Sequence, residues 1–262
     1  MKKILFAAAL LIACTSTSVK TVLAHDDNTS EQATEQTTEK TAAQDTIEQP
    51  TTPPLSKTAQ SMAAQGMVNV HDVDPTIEVS LMYSRPDNFT GRILYDDLRE
   101  AYLHPKAAKA LAMAQQRLKE LHPDLTLIIF DATRPMSVQQ KMWDVVKNTS
   151  KNIYVSNPAR GGGMHNYGMA VDISICRVGG NIPNAIDTIP MGATVDFMGD
   201  LAHTNHEDLL VARHRMTEEA RSNRQLLREV MAVGGFKVLR TEWWHFNLCT
   251  REEAKRNYKA IK

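Results

Sequence analysis

Apolar and polar residues alternate from Thr76 to Met82, the two-residue period of a strand with one buried face. From His104 to His122 the period lengthens. Leu111, Ala114, Leu118 and Leu121 recur along one helical stripe, Pro105 stands early enough to be tolerated, and Pro123 stops the helix. The unbroken apolar run Leu125–Phe130 follows directly and predicts a buried strand. Asp131-Ala132-Thr133-Arg134-Pro135 then turns the chain into a second helix, for which Ser137 and Gln140 have the spacing of a capping box. A third helix is expected after Thr217, ending at Gly234-Gly235, and two last strands at Phe236–Arg240 and about Trp243–Leu248. This order predicts an α+β fold, a central mainly antiparallel sheet flanked by helices, rather than a regular βαβ alternation.

The first 56 residues have a different pattern. Lys2 and Lys3 precede the apolar run Ile4–Ala13, which is long enough for an export signal and about half of what a membrane span needs. The run ends in Leu11-Ile12-Ala13-Cys14, similar to a bacterial lipobox, so residues 1–13 are expected to be removed and Cys14 acylated, anchoring the chain to a membrane. Val22-Leu23-Ala24 offers an alternative cleavage after residue 24 that would release a soluble product. Residues 25–54 hold seven acids (Asp26, Asp27, Glu31, Glu35, Glu39, Asp45, Glu48) against Lys40 alone, and no aromatic residue. Such a segment cannot bury enough apolar area to offset its ordering entropy, so residues 14–56 read as a disordered tether, spanning on the order of 35 Å as a flexible coil.

Charge must therefore be counted without the leader. The whole chain balances 30 Lys+Arg against 30 Asp+Glu, but residues 55–262 hold 26 against 23. A surplus of this size is no electrostatic footprint for nucleic acid, and none is expected as a partner. Residues 57–262 are one domain's worth of chain. Three cysteines are too few for a disulfide framework, and the odd one is Cys14. Cys176 and Cys249 could pair in an exported protein if the strands that carry them run side by side.

The candidate chemistry lies in two clusters. In Met164–Ile175, Met169, Val171, Ile173 and Ile175 form one apolar face, while Gly168, Ala170, Asp172 and Ser174 form the other, with a carboxylate among small residues. The plain alternative is a half-exposed strand whose Asp172 faces water. In Glu242-Trp243-Trp244-His245, a glutamate and a histidine are wedged among large aromatics and need partners to offset their desolvation. A metal with an open coordination position is one such partner, and a structural ion pair is the other. Glu242 and His245 would face opposite ways in a straight strand, so Glu242 is expected on the turn before the strand or at a bulge. Gly161-Gly162-Gly163 lacks the residues of a phosphate loop and reads as a flexible lip. His203-Thr204-Asn205-His206-Glu207 has neither order of a zinc-peptidase helix and reads as a polar loop or helix start.

His165-x-x-Gly168-x-Ala170-x-Asp172 followed by Glu242-x-Trp244-His245 resembles the zinc signature of the D-alanyl-D-alanine dipeptidases, the VanX-type branch of the LAS group of peptidases. The likeness extends to Asn88-Phe89-Thr90-Gly91 with Tyr95, to Asp131–Pro135, to Met191-Gly192 with Asp196, and to the run from Leu226-Leu227 to Gly235-Phe236, about residues 70 to 250 in all. The resemblance implies one zinc ion per chain on His165, Asp172 and His245. It also implies Glu242 as catalytic base, Arg134 as the arginine that steadies the oxyanion, and Asp196 as the acid that meets the substrate ammonium. One position departs: the usual serine two residues before the first ligand is Gly163, which removes a hydroxyl that could contact substrate. The expected function is zinc-dependent hydrolysis of D-alanyl-D-alanine in the cell envelope. Its alternatives are a D,D-carboxypeptidase acting on peptidoglycan stem peptides and a non-catalytic lipoprotein that binds cell-wall peptides.

Overall fold

The computed structural model describes residues 54–182 and 185–262, so the export signal, both cleavage sites, Cys14 and the tether as far as residue 53 lie outside the described residues. The elements are α1 (Lys57–Ala64), β1 (Val68–Asn69), β2 (Glu78–Val79), β3 (Tyr102–Leu103), α2 (Pro105–Leu121), β4 (Leu125–Asp131), α3 (Met136–Val146), β5 (Ala170–Ile182), β6 (Ala185–Thr188), α4 (Glu207–Ala212), α5 (Glu218–Val233), β7 (Lys237–Leu239), β8 (Glu242–Asn247) and α6 (Arg251–Asn257). Among the described residues, no helix is long and apolar enough to cross a membrane.

The main sheet runs β2-β4-β5-β8-β7. Only the β2–β4 pair is parallel. Because β4 and β6 both meet β5 at Cys176, β6 occupies the opposite edge from β4, continuing the edge that β8 uses nearer the strand's start. β4 is buried along its whole length, as its continuous apolar run requires. α2 packs on β4 and against α5, with Leu111, Ala114 and Leu118 fully buried. These three follow the expected stripe, whereas Leu121 at the helix end is 36% exposed.

Several elements differ from expectation in extent. The alternating stretch at Thr76–Met82 forms ladder only at Glu78–Val79, because Met82–Ser84 closes into a 3₁₀ turn. The capping box is not formed: α3 starts before Ser137, with the Pro135 carbonyl accepting from the Val138 and Gln139 amides and Ile261 accepting from the Met136 amide. A backbone carbonyl from the chain's end thus does what a capping hydroxyl would have done. β5 runs well past Ile175, since the β6 hairpin gives its far half a partner.

Two glycines separate conformational from steric demand. Gly66 and Gly168 both have left-handed backbone, φ +86° and +65°. A side chain at Gly66 would meet nothing within 4 Å, whereas one at Gly168 would stand 2.8 Å from the His104 amide nitrogen and 2.6 Å from Met67 Sδ. Gly168 ends the turn before β5, and its carbonyl accepts from the His104 amide at 3.0 Å, so the chain cannot step aside there. Gly66→Ala should therefore cost about 1 kcal/mol and Gly168→Ala about 2–4 kcal/mol. Urea unfolding midpoints check this, and equal losses at the two positions would contradict the packing argument.

Candidate active site

The site begins where β4 leaves the sheet. Arg134, three residues past the end of β4, donates its amide to the His165 carbonyl at 3.0 Å, and Asn166 Nδ2 donates to the Arg134 carbonyl at 2.8 Å. These two bonds stitch the turn after β4 to the 3₁₀ turn Met164–Tyr167 that precedes β5. Asp172 lies near the start of β5, directly opposite His245 of β8. Opposed residues of an antiparallel pair project to the same face, so the two side chains meet. His165 Nε2, Asp172 Oδ1 and His245 Nδ1 converge, with separations of 3.2 Å from His165 to Asp172, 3.1 Å between the histidines, and 2.9 Å from His245 to Asp172.

The outer nitrogen of each ring decides what the inner one presents. His165 Nδ1 lies 2.7 Å from the Ala132 carbonyl, which can only accept, so the proton sits there and Nε2 turns a lone pair inward. His245 Nε2 likewise donates to Asn247 Oδ1 at 2.9 Å, leaving the Nδ1 lone pair facing Asp172. Two lone pairs and a carboxylate oxygen, all buried, repel one another unless a cation lies among them. Tetrahedral zinc with bonds of 2.0–2.1 Å keeps its ligands about 3.3 Å apart, close to the spacing found, and these three residues could hold a metal. When no cation lies there and the rings instead present a proton to Asp172, burial pushes the carboxyl up, but His165 and His245 outweigh it and hold the group well below the ordinary carboxylate range.

Glu242 opens β8 on an irregular stretch. Val238 pairs with Phe246, yet the next residue, Leu239, pairs with Glu242, so three residues of β8 are looped out of register. This is the expected bulge, and it brings Glu242 Oε2 to 3.9 Å from His245 Nδ1 instead of sending it through the sheet. Burial raises Glu242 to about 8, with His245 pulling it down and Asp172 pushing it up. Trp243 and Trp244 close the layer behind it, stacked edge to face at 5.6 Å, with the Arg224 guanidinium over the Trp243 ring.

Arg134 is fixed chiefly by Asp131 and Gln139. Its Nε donates to Asp131 Oδ2 at 2.8 Å and its Nη1 to Gln139 Oε1 at 3.0 Å, while Nη2 lies 3.7 Å from Asp172 Oδ2. The Tyr95 hydroxyl donates to the other Asp131 oxygen at 2.6 Å. Burial acts to lower the Arg134 pKa, but Asp131 reverses this and keeps the group charged. Asp196 sits in a loop with left-handed backbone (φ 66°) and accepts from the Tyr83 hydroxyl at 2.8 Å. Burial, reinforced by the Asp172 charge, raises Asp196 to about 7. Burial and the Asp196 charge raise Tyr83 as well, so Tyr83 remains the proton donor of the pair.

All six residues singled out from the sequence line one cavity of about 420 Å³: His165, Asp172 and His245 with Glu242, Arg134 and Asp196. Of the supporting groups, Asn247 was findable, because a residue two places after His245 shares its face of the strand. Gln139 and Tyr83 carried no signal of their own. The His203–Glu207 stretch is a 3₁₀ turn leading into α4, with His206 on Asp200 and Glu207 on Arg224 and Arg228, in keeping with a structural role. Cys176 and Cys249 are free. Their strands do run side by side, but antiparallel, so four residues beyond Asp172 and four beyond His245 lead in opposite directions, roughly 27 Å apart.

Comparison with known proteins agrees with this geometry. Residues 63–261 match the model of the D-ala-D-ala dipeptidase family. A D-alanyl-D-alanine dipeptidase of Escherichia coli is 32% identical over 182 residues, covering 70% of this chain and 84% of that protein. Enzymes of the same name are 26% identical in Enterococcus faecalis and 29% in Streptomyces coelicolor, each alignment covering 63% of this chain and 83% of the relative. With a family match across nearly all the described residues and a buried triad that could hold a metal, the chain is a metallopeptidase of the D-ala-D-ala dipeptidase family.

Proposed function

We propose that this chain hydrolyses the peptide bond of D-alanyl-D-alanine in cell-wall metabolism, with one zinc ion per chain. The observation that carries the reading is the convergence of three lone-pair donors on a cavity that also holds a buried glutamate, a buried arginine and the half-buried carboxylate of Asp196. His165 Nε2, Asp172 Oδ1 and His245 Nδ1 would hold the zinc, which when bound supplies Lewis acidity toward a water molecule and the scissile carbonyl. Glu242 takes a proton from the attacking water and returns it to the leaving nitrogen as the C–N bond breaks, ending as the carboxylate it began as. Burial raises its pKa, which strengthens the carboxylate as a proton acceptor. Arg134, held by Asp131 and Gln139, donates to the oxygen that gains negative charge during attack.

Asp196 favours the dipeptide over a longer stem peptide. A free dipeptide carries an ammonium on its first residue, and the half-buried carboxylate of Asp196 offsets the cost of bringing that charge in. A stem peptide has an amide there and would leave Asp196 facing a neutral group. The retained Glu242 weighs against a pure binding protein, which needs no base beside the metal. The leader supports an exported enzyme anchored through acylated Cys14, where it would meet wall-derived dipeptide outside the cytoplasm.

Glu242→Ala should lower kcat for D-alanyl-D-alanine about a thousandfold while the purified protein still binds one zinc per chain, read by metal analysis. A variant that keeps a substantial share of wild-type turnover would show that the base is another group. Because Asp196 titrates near 7 with its carboxylate present above that pH, KM for the dipeptide should rise as pH falls from 8 to 6. Asp196→Asn should raise KM at pH 8 by about tenfold or more and flatten that dependence. N-acetyl-D-alanyl-D-alanine should be the poorer wild-type substrate, and its preference over the free dipeptide would favour the carboxypeptidase reading. Cells fed a clickable palmitate analogue should label the mature chain at Cys14, whereas an unlabelled product beginning at His25 would mean cleavage after Ala24.

A further inference from the structure

Two donors in the cavity have no use in the mechanism above. Arg251, half-buried at the start of α6, lines the same cavity as the metal-ligand triad. Its Nη2 donates to the carbonyls of Gly162 at 2.7 Å and Arg160 at 3.1 Å. Its Nε is buried with no hydrogen-bond partner, and among the described residues no carboxylate forms an ion pair with it. Arg134, also in the cavity wall, is by contrast already neutralised by Asp131. A partly desolvated guanidinium held only by neutral carbonyls is short of an anion.

The second donor is Ser156, which lines the cavity and whose hydroxyl has no protein partner among the described residues. Its carbonyl accepts from Gln139 Nε2 at 2.8 Å, and Gln139 Oε1 accepts from Arg134, so the residue is tied to the arginine that faces the reacting carbonyl. The Ser156 hydroxyl stands where a side chain at position 163 would begin: a Cβ added to Gly163 would lie 2.8 Å from Ser156 Oγ. The glycine that departs from the family's usual serine is therefore the residue that admits Ser156. Arg251 and Ser156 meet the same two-residue segment, Arg251 at the Gly162 carbonyl and Ser156 at Gly163.

We propose that Arg251 and Ser156 form a carboxylate-recognition site at the end of the cavity bounded by Gly162–Gly163, taking the α-carboxylate of the substrate's carboxy-terminal residue. Arg251 supplies the charge, and Ser156 supplies from another place in the chain the hydroxyl that Gly163 lacks. With Asp196 reserved for the ammonium, the cavity is dipolar and matches a zwitterion. This deepens the dipeptidase reading and rests on it for the identity of the ligand.

The test compares D-alanyl-D-alanine with its carboxy-terminal amide on the zinc-loaded enzyme, reading kcat and KM for turnover and calorimetric binding to the same protein. Wild type should prefer the acid. Arg251→Ala should raise KM for the acid about 30-fold with little change in kcat and leave the amide unaffected, so that the preference disappears. Arg251→Lys should restore part of it. Ser156→Ala, which leaves the Arg251 contacts to the glycine loop intact, should weaken the acid about threefold to tenfold. Combining it with Gly163→Ser should recover the loss by moving the hydroxyl back, whereas Gly163→Ser alone, crowded by the intact Ser156, should bring no gain. An acid-to-amide ratio unchanged in folded, zinc-bound Arg251→Ala overturns the proposal, as does a wild type without preference. If the dipeptide is bound as the acid, loses that preference in Arg251→Ala, and is never cleaved, the carboxylate site stands and the dipeptidase reading falls.

Discussion

The cross-strand pair Asp172–His245 is the constraint on which the rest of the site depends. The two residues are 73 positions apart in the chain and directly opposed in the β5–β8 ladder. In an antiparallel pair, opposed Cα atoms are about 4.5–5.5 Å apart with side chains on the same face, so the ladder itself sets the distance between two of the three converging donors. β4 supplies the third indirectly. It pairs with the other edge of β5, and the turn that follows it is hydrogen-bonded to the turn carrying His165. Both inner strands are buried there, which removes the freedom a loop-borne ligand would have.

Four acidic side chains in this small volume behave differently because their neighbours differ. Asp172 is held below the ordinary carboxylate range, against the effect of burial, where the two rings present a proton to it. Glu242 and Asp196 lack such compensation, and burial raises both toward neutrality. Asp131, fully buried beneath them, is occupied on both oxygens by Arg134 and Tyr95 and serves to aim the arginine. One functional group, the carboxylate, thus takes on different protonation and bonding in each place through its environment.

The ladder also accounts for what the cysteines do not do. The spacing of Cys176 and Cys249 relative to two paired residues looks symmetrical in sequence, but antiparallel direction converts equal offsets into separation. The same directionality places Glu242 usefully only because β8 breaks register. A straight strand would have sent its carboxylate to the far side, and the irregular pairing at Leu239 returns it to the histidine face.

The sequence by itself determined the main helices and strands of the core and the inventory of candidate residues. The unbroken run at Leu125–Phe130, the stripe in α2 and the alternation around Asp172 report burial, and burial pattern is written locally in the order of apolar residues. The two motifs likewise contain the three converging residues and Glu242, which their resemblance to a family signature marked out. Only the tertiary structure decided the rest. The capping hydroxyl of Ser137 was displaced by a carbonyl from the chain's end, Arg134 acquired Asp131 and Gln139, and the gap at Gly163 was filled by Ser156. Each of these is a contact between segments that local pattern cannot relate, since a free hydroxyl or guanidinium looks the same in sequence whatever the fold later brings against it.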